Sequence, residues 1–465
     1  MKRIISAILI IMTILASFAV VSVSAADFEV KDGVLLSYNG TATSVTIPST
    51  VYCIADSAFE GNTKITSVNL SNVTIIGNKA FYGCASLKTI TGGASVKSCG
   101  AYAFEGTSYL YNNTETTVIL GSVLLKSKAS GAFTVGSAVT SIAPYSFADN
   151  TTITSVKIPA NVAEIGEGAF FNATALATVS VSDTVGYIGA YAFQGTPWLS
   201  SQKDTFVVVG AGILINVNST AQSLTIPTTV RHIAAGVFYN NTKLKSITLP
   251  STLSGIGKRA FAGCTALASV TFPSSVVMID DEAFTGCTAL TSVEIPSTVA
   301  VLGESAFLGC TALKTAIVCA QSDIPAGLFA NCTKLTSVII GSKAERIGKY
   351  AFYKCTALKE ISVPDTVKNF DAAEYTSLKN LTVYCNDNSY VYSQCTAKGV
   401  SCSQIGDANN DGSVNVRDAT QIQKATASMI TLTFTETLKG DADFNSKINI
   451  KDATAIQKYS ADIRN

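Results

Sequence analysis

The chain of 465 residues is 47% hydrophobic and 14% charged, and its 33 basic and 32 acidic side chains leave a formal net charge of +1. That much apolar material supports a large core and more than one domain, and it excludes a disordered chain. Charges of both signs are spread along the sequence, which excludes nucleic acid and anionic membrane surfaces as partners.

The first predicted element is a leader. Met1-Lys2-Arg3 is followed by an apolar stretch from Ile4 to Val23, then by Ser24-Ala25-Ala26 ahead of Asp27. A basic start, a short apolar segment and small residues at Val23 and Ala25 predict a signal peptide over residues 1–25. The stretch is short for a membrane anchor. A secreted, extracellular chain with no membrane insertion is expected.

Beyond it, phenylalanine recurs at 59, 81, 104, 147, 170, 193, 238, 261, 284, 307, 329 and 352, with Tyr375 in phase. The spacing is 22 or 23 residues, doubling to 43 and 45 where longer excursions follow Phe104 and Phe193. A period of this size predicts a solenoid of stacked coils, since one coil alone cannot bury its apolar face. Gly33, Gly121 and Gly212 each open an apolar run 26 residues before an anchor, so three groups of coils start alike, and the excursions are expected to be variant coils.

Within one coil, Leu290, Val293 and Ile295 alternate with Ser292 and Glu294, the pattern of a short strand with one buried face, and Pro296 ends it. Val299, Leu302, Ala306 and Phe307 return inward at turn or short-helix spacing, and Gly309 swings the chain toward the next strand. The outward strand residues Ser246, Thr248, Ser269, Thr271, Ser292, Glu294, Ser337, Glu360 and Ser362 are predicted to align as a hydroxyl-rich binding face for a protein or glycan. Trp198 and Tyr109 are the best-placed aromatic platforms, and packing is the favoured role for both.

The phrases Ile-Pro-Ser-Thr-Val at 295–299, Ile-Gly-x-x-Ala-Phe at 256–261 and Gly-Cys-Thr-Ala-Leu at 309–313 resemble the leucine-rich repeats of BspA-like bacterial surface proteins. The resemblance runs from about 28 to 405, and residues 381–405 are similar to the cap such arrays carry. It implies an α/β solenoid, a short strand plus a turn or short helix per coil, over residues 26–380, used for binding or adhesion.

Six of the 12 cysteines, at 84, 264, 287, 310, 332 and 355, stand three residues after an anchor. Equivalent spots give parallel Cβ vectors, which suit a reduced, buried ladder better than bridges. Cys99 replaces a core Ile, and among Cys385, Cys395 and Cys402 one pair could close. Catalysis finds no constellation: His232 is the single histidine, and no zinc, serine-triad or phosphate-loop motif is present. The densest carboxylates, Asp280-Asp281-Glu282 and Glu164 with Glu167, fall on the turn before an anchor, where no deep pocket is expected. No enzyme activity is expected.

After Ile405 the rhythm stops and two acidic loops appear. Asp407, Asn409, Asp411, Ser413, Asn415 and Asp418 occupy positions 1, 3, 5, 7, 9 and 12 of the first, with Gly412 at 6. Thirty-four residues on, Asp441, Asp443, Asn445, Lys447, Asn449 and Asp452 repeat the set, with Ser446 in place of the glycine. Oxygen donors at these spacings, with a backbone carbonyl from position 7, are the ligands of a calcium loop, so two Ca²⁺ sites are predicted. Position 12 is Asp rather than Glu in both loops, and in the second Ser446 must take a positive φ, so that loop is expected to bind more weakly.

The loops lead into the near-identical Asp418-Ala-Thr-Gln-Ile-Gln-Lys424 and Asp452-Ala-Thr-Ala-Ile-Gln-Lys458, with no helix entering the first. This resembles a type I dockerin over residues 406–465 and implies a small all-α domain. The resemblance further implies attachment to a cohesin domain of a cellulosome scaffold, which would hold the chain at the cell surface. It places the cohesin contacts at Val416, Arg417, Gln423 and Lys424, and at Ile450, Lys451, Gln457 and Lys458. The reading is a non-catalytic binding protein. A dockerin-borne polysaccharide- or peptide-degrading enzyme and a surface adhesin are the alternatives.

Overall fold

The computed structural model describes residues 23–25, 27–375, 378 and 380–461. The predicted leader therefore lies outside the described residues up to position 22. Val23–Ala25 forms a short strand antiparallel to Phe28–Lys31, so cleavage after Ala25 would remove that strand. Two compact units are present, Met1–Asn218 and Ser219–Asn465.

In the first unit the three look-alike openings are antiparallel hairpins. Phe28–Lys31 pairs with Val34–Tyr38, Thr117–Leu120 with Val123–Ser127, and Phe206–Val209 with Ile213–Val217, each with a register shift. The phrases after Phe104 and Phe193 form one-turn helices, α1 (Ser108–Tyr111) and α2 (Pro197–Ser201), capped by the Thr107 and Thr196 hydroxyls. The excursions are thus helix-plus-hairpin inserts that restart the array. The coils between them stack in parallel, for example Ser141–Ile142 on Glu164–Ile165 and then Tyr187–Ile188.

In the second unit, Ser292–Ile295, Thr315–Val318, Ser337–Ile340, Glu360–Ser362, Thr382–Cys385 and Ser401–Gln404 make a six-stranded parallel sheet. The returning leg of the earlier coils is a second, two-residue strand, as in Met278–Ile279 beside Val301–Leu302, and shrinks to a single bridge between Ile324 and Ile347. Of the turn or short helix expected there, the turn is what forms. The chain then runs through α3 (Tyr390–Lys398), α4 (Val416–Thr426), α5 (Phe434–Gly440) and α6 (Ile450–Ser460).

Leu290, Val293, Ile295, Val299, Leu302, Ala306 and Phe307 are all buried, as the alternation predicts. The Phe261, Phe284 and Phe307 rings stack at 4.9 and 5.3 Å, close to the spacing of adjacent strands. Two residues before each anchor the backbone is left-handed, even at Tyr102, Arg259 and Glu282, with φ of 57°, 54° and 55°. Such strain persists only where the surroundings over-determine it. Here amides of one coil donate to carbonyls of the next, as from Phe284 to Ala306 at 2.7 Å and from Glu282 to Glu304 at 2.9 Å.

All 12 cysteines are free. The six ladder cysteines are buried, and each thiol donates to the carbonyl of the anchor one coil back: Cys287 to Phe261 and Cys310 to Phe284, both at 3.3 Å. Burial pushes the Cys287 thiol above its usual range, and the hydrogen bond with Cys332 followed by burial pushes Cys310 well above it, which keeps both protonated and unreactive.

Candidate calcium and docking site

The C-terminal module is built on two matched helices. α4 and α6 meet through Ala419, Ile422, Ala453 and Ile456 over Ala408, with Val414 and Ile448 at the margin. Both begin in a capping box: Asn415 and Asn449 accept from Arg417 and Lys451 amides, while Asp418 and Asp452 accept back from the Asn415 and Asn449 amides. Loop positions 9 and 12 therefore start the helices as well as offering oxygens, and that fixes both loops against the same frame.

Within each loop the backbone wraps the first carboxylate. Asp407 accepts from the Asp411 and Gly412 amides at 3.0 and 3.1 Å, and Asp441 from the Asn445 and Ser446 amides at 3.0 and 2.7 Å. Asp418 and Asp452 reach back to the amides of Asn409 and Asp443 at 3.0 and 3.2 Å. The backbone carbonyls of Ser413 and Lys447, the position-7 ligand oxygens, accept from the side-chain Nδ2 of Asn415 and Asn449 at 3.3 and 3.0 Å. Ser446 takes φ 65°, as its place opposite Gly412 at φ 88° requires.

Asp441, Asp443 and Asp452 present carboxylate oxygens that all lie within 4.8 Å of one another. Burial, and then the neighbouring carboxylates, push Asp441 up to about 7; burial also pushes Asp452 up to about 6. Hard oxygen donors forced together at that acidity fit a dication that relieves their repulsion. A calcium ion there would be held by Asp441, Asp443, Asn445, Asn449, Asp452 and the Lys447 carbonyl, and it would supply structural charge balance. In the first loop the buried Lys439 ammonium lies 3.5 Å from Asp407 and also donates to Asn410, so part of that charge balance comes from the protein.

All eight residues expected at a cohesin interface are exposed, Val416 at 62% and Ile450 at 55%. The sheet face divides. Thr248, Ser269, Thr271, Ser292 and Glu294 are open and Ser246 is half-buried, whereas Ser337 and Ser362 are buried and Glu360 is half-buried. This corrects the expectation for the last three: α5 lies over them, and Thr435 donates to Glu360 at 2.9 Å. Ser337 donates to the same carboxylate at 3.2 Å. Sequence reasoning missed Ile317, Ile339 and Tyr384, which join Leu438, Phe444, Phe434 and Ile405 in an apolar cluster. Their signal was apolar residues at outward strand positions.

The remaining candidates serve the fold. Trp198 meets Phe193 edge-on at 4.9 Å, and Tyr109 tilts on Phe104. Burial pulls His232 down to about 4. Glu167 accepts from the Tyr145 hydroxyl at 2.8 Å, and Glu282 pairs with Arg259 at 2.7 Å. Asp281 accepts the Glu304 amide at 2.9 Å, and burial pushes the Glu164 carboxyl above its ordinary range against the opposing hydrogen bond that Ser141 donates to it. Among the described residues no helix is long and apolar enough to cross a membrane.

A family model described as a BspA type leucine rich repeat region matches residues 36–118, 114–200, 216–323 and 322–404, and one described as a dockerin type I domain matches 405–461. Both are modules of non-catalytic kinds, and dockerins of this type generally bind calcium and imply a cohesin partner. No curated protein matches the chain. Among solved structures, a leucine-rich repeat protein from Bacteroides ovatus is 22% identical, covering 85% of this chain and 90% of that one, with a TM-score of 0.35. One from Eubacterium ventriosum is 24% identical, covering 78% and 90%, with a TM-score of 0.31. A leucine rich cell surface protein from Faecalibacterium prausnitzii is 25% identical, covering 84% and 100%, with a TM-score of 0.29.

Proposed function

This chain belongs to the BspA-type leucine-rich-repeat proteins and ends in a type I dockerin domain, and from that premise we propose that it is a secreted, non-catalytic binding protein anchored to a cohesin of a cellulosome-type scaffold. The dockerin holds two calcium ions, one in each of the loops 407–418 and 441–452. The solenoid recognises a protein or glycan through the open part of its sheet face, from Ser246 to Glu294. The scaffold keeps the chain at the cell surface.

The observation that carries the anchoring role is the exposure of two matched sets on α4 and α6. Arg417, Gln423 and Lys424 have the counterparts Lys451, Gln457 and Lys458, all free of the module's core and of the solenoid. Helices that share one cap and one core present these sets in equivalent ways, so either half offers a cohesin the same surface. Calcium comes first, because without it three carboxylates per loop oppose one another.

The test is binding of the full chain to a panel of type I cohesins, with calcium and with a chelator. Chelation is expected to abolish capture. Arg417→Ala with Lys424→Ala is expected to weaken it by less than about fivefold, whereas adding Lys451→Ala and Lys458→Ala removes it, by roughly 100-fold or more. Capture that survives the chelator sinks calcium dependence, and capture lost on changing one half sinks two-way docking.

A further inference from the structure

Strand register sets Glu294, Ile317, Ile339, Ser362 and Tyr384 side by side in one row of the second unit's sheet. The row faces away from the coil interior, because its neighbours Val293, Ala316, Val338, Ile361 and Val383 fill that interior. Earlier coils place Thr248 and Glu294 at this outward position, both exposed. At Ile317, Ile339 and Tyr384 the row turns apolar, and there α5 and the second calcium loop cover it.

The covering loop carries its own mark of this contact. Position 4 is Asn410 in the first loop and Phe444 in the second, at φ 59° and 56°. A left-handed backbone suits Asn and penalises an aromatic residue. Nothing in calcium binding asks for Phe444, yet its side chain is 4% exposed, packed against Ile339, Tyr384, Ile405 and Leu438. Its carbonyl accepts the Ser342 amide at 2.8 Å. The strained aromatic residue is therefore there for the solenoid.

We propose that Ile317, Ile339 and Tyr384 form a docking face for the second half of this chain's own dockerin, and that seating on this face and calcium binding by loop 441–452 reinforce each other. The coupling rests on the calcium reading given above. Phe444 stands between the ligands Asp443 and Asn445, and Asn445 turns its amide onto Asp441 and Asp443 at 3.0 and 3.1 Å. One loop conformation thus serves both contacts. Whichever partner orders the loop first lowers the ordering cost for the other, and the effect is reciprocal. The module follows the last strand directly, from Gln404 to Asp407, and Gly406 donates to Lys439 at 2.7 Å, so it is held as a bracket. Docking leaves the cohesin-facing residues of both halves exposed.

The test uses the full chain carrying Ile339→Ser with Tyr384→Ser, polar residues of the kind other coils carry at this position, with Ile119→Ser, at an exposed strand residue of the first unit, as the control. Titration with calcium chloride is expected to show one of two binding events weakened about tenfold, the other unchanged, and the control like wild type. Amide exchange over residues 434–446 is expected to quicken in the calcium-loaded double variant. Phe444→Asn, which gives the loop its twin's residue, is expected to quicken exchange over 337–342 without touching a coil. An unchanged isotherm in the double variant overturns the coupling, and unchanged exchange in both variants overturns the face. A wild-type chain that binds no calcium sinks the calcium reading and the coupling with it, while the exchange comparison still decides the face.

Discussion

In the coils, Phe284 lies between Phe261 and Phe307 at 4.9 and 5.3 Å, and its neighbours up and down the stack meet partners of the same kind. In the calcium module, Asn410 and Phe444 also occupy one position of a repeated unit, with nearly the same φ, yet the first is exposed and the second buried. A stacked coil sees copies of itself on both sides, so repeated sequence meets repeated surroundings. A module of two halves has no such neighbours, and only its second half meets the sheet. Residues that keep the backbone in shape stay alike in both halves; those that meet something outside diverge.

The largest effect that tests this contrast is a cavity in the stack. Phe284→Ala and Phe307→Ala are each expected to lower the stability of the unit by about 3–5 kcal/mol, and by similar amounts, in chemical denaturation. Costs differing by more than about 2 kcal/mol would mean that the coils are not equivalent after all.

A smaller effect separates the module from the coils by pH. Asp441 and Asp452 sit at about 7 and about 6 against an ordinary 3.8 because they are buried together. The folded, calcium-free loop then holds more protons than the unfolded chain between those values. Its stability is fully present below about pH 4 and is lost as pH rises toward 7. Melting in chelator should therefore show a module that is more stable at acid than at neutral pH, and Asp441→Asn should flatten the dependence. With calcium the sign reverses, since protons compete for the ligand oxygens, and calcium affinity should fall on acidification.

The smallest expected effect lies in the cysteine ladder. Cys287→Ser can keep the bond to the Phe261 carbonyl, so the loss is expected to be about 1 kcal/mol. Cys287→Ala gives up both the bond and the packing and should cost more. A serine variant that melts below the alanine one would show that the carbonyl is out of a hydroxyl's reach.

Much of the molecule was legible because its rules are local or periodic. The phenylalanine period fixed which residues stack, and the alternation at Ser292–Ile295 fixed which face is inward; of the two loop spacings, that of 441–452 gathers the carboxylates of Asp441, Asp443 and Asp452. A ligand spacing works through a turn of a few residues, and a coil's inward face is set by its own alternation, so no distant part of the chain is needed to read either. The hairpins inside the two excursions were less legible, since their apolar runs carry no alternation to distinguish a paired hairpin from a bent coil.

What tertiary structure alone decided is the fate of the sheet's outer face. Ser337, Glu360 and Ser362 carry the same hydroxyl and carboxylate chemistry as Ser292 and Glu294, yet α5 covers the first three and leaves the last two open. Lys439 and Phe444 are far in the chain from Ile339 and Tyr384, and their contact depends on how the last strand delivers the module back over the sheet. Burial of an outward residue is a property of what arrives on top of it, which periodicity within a coil cannot encode.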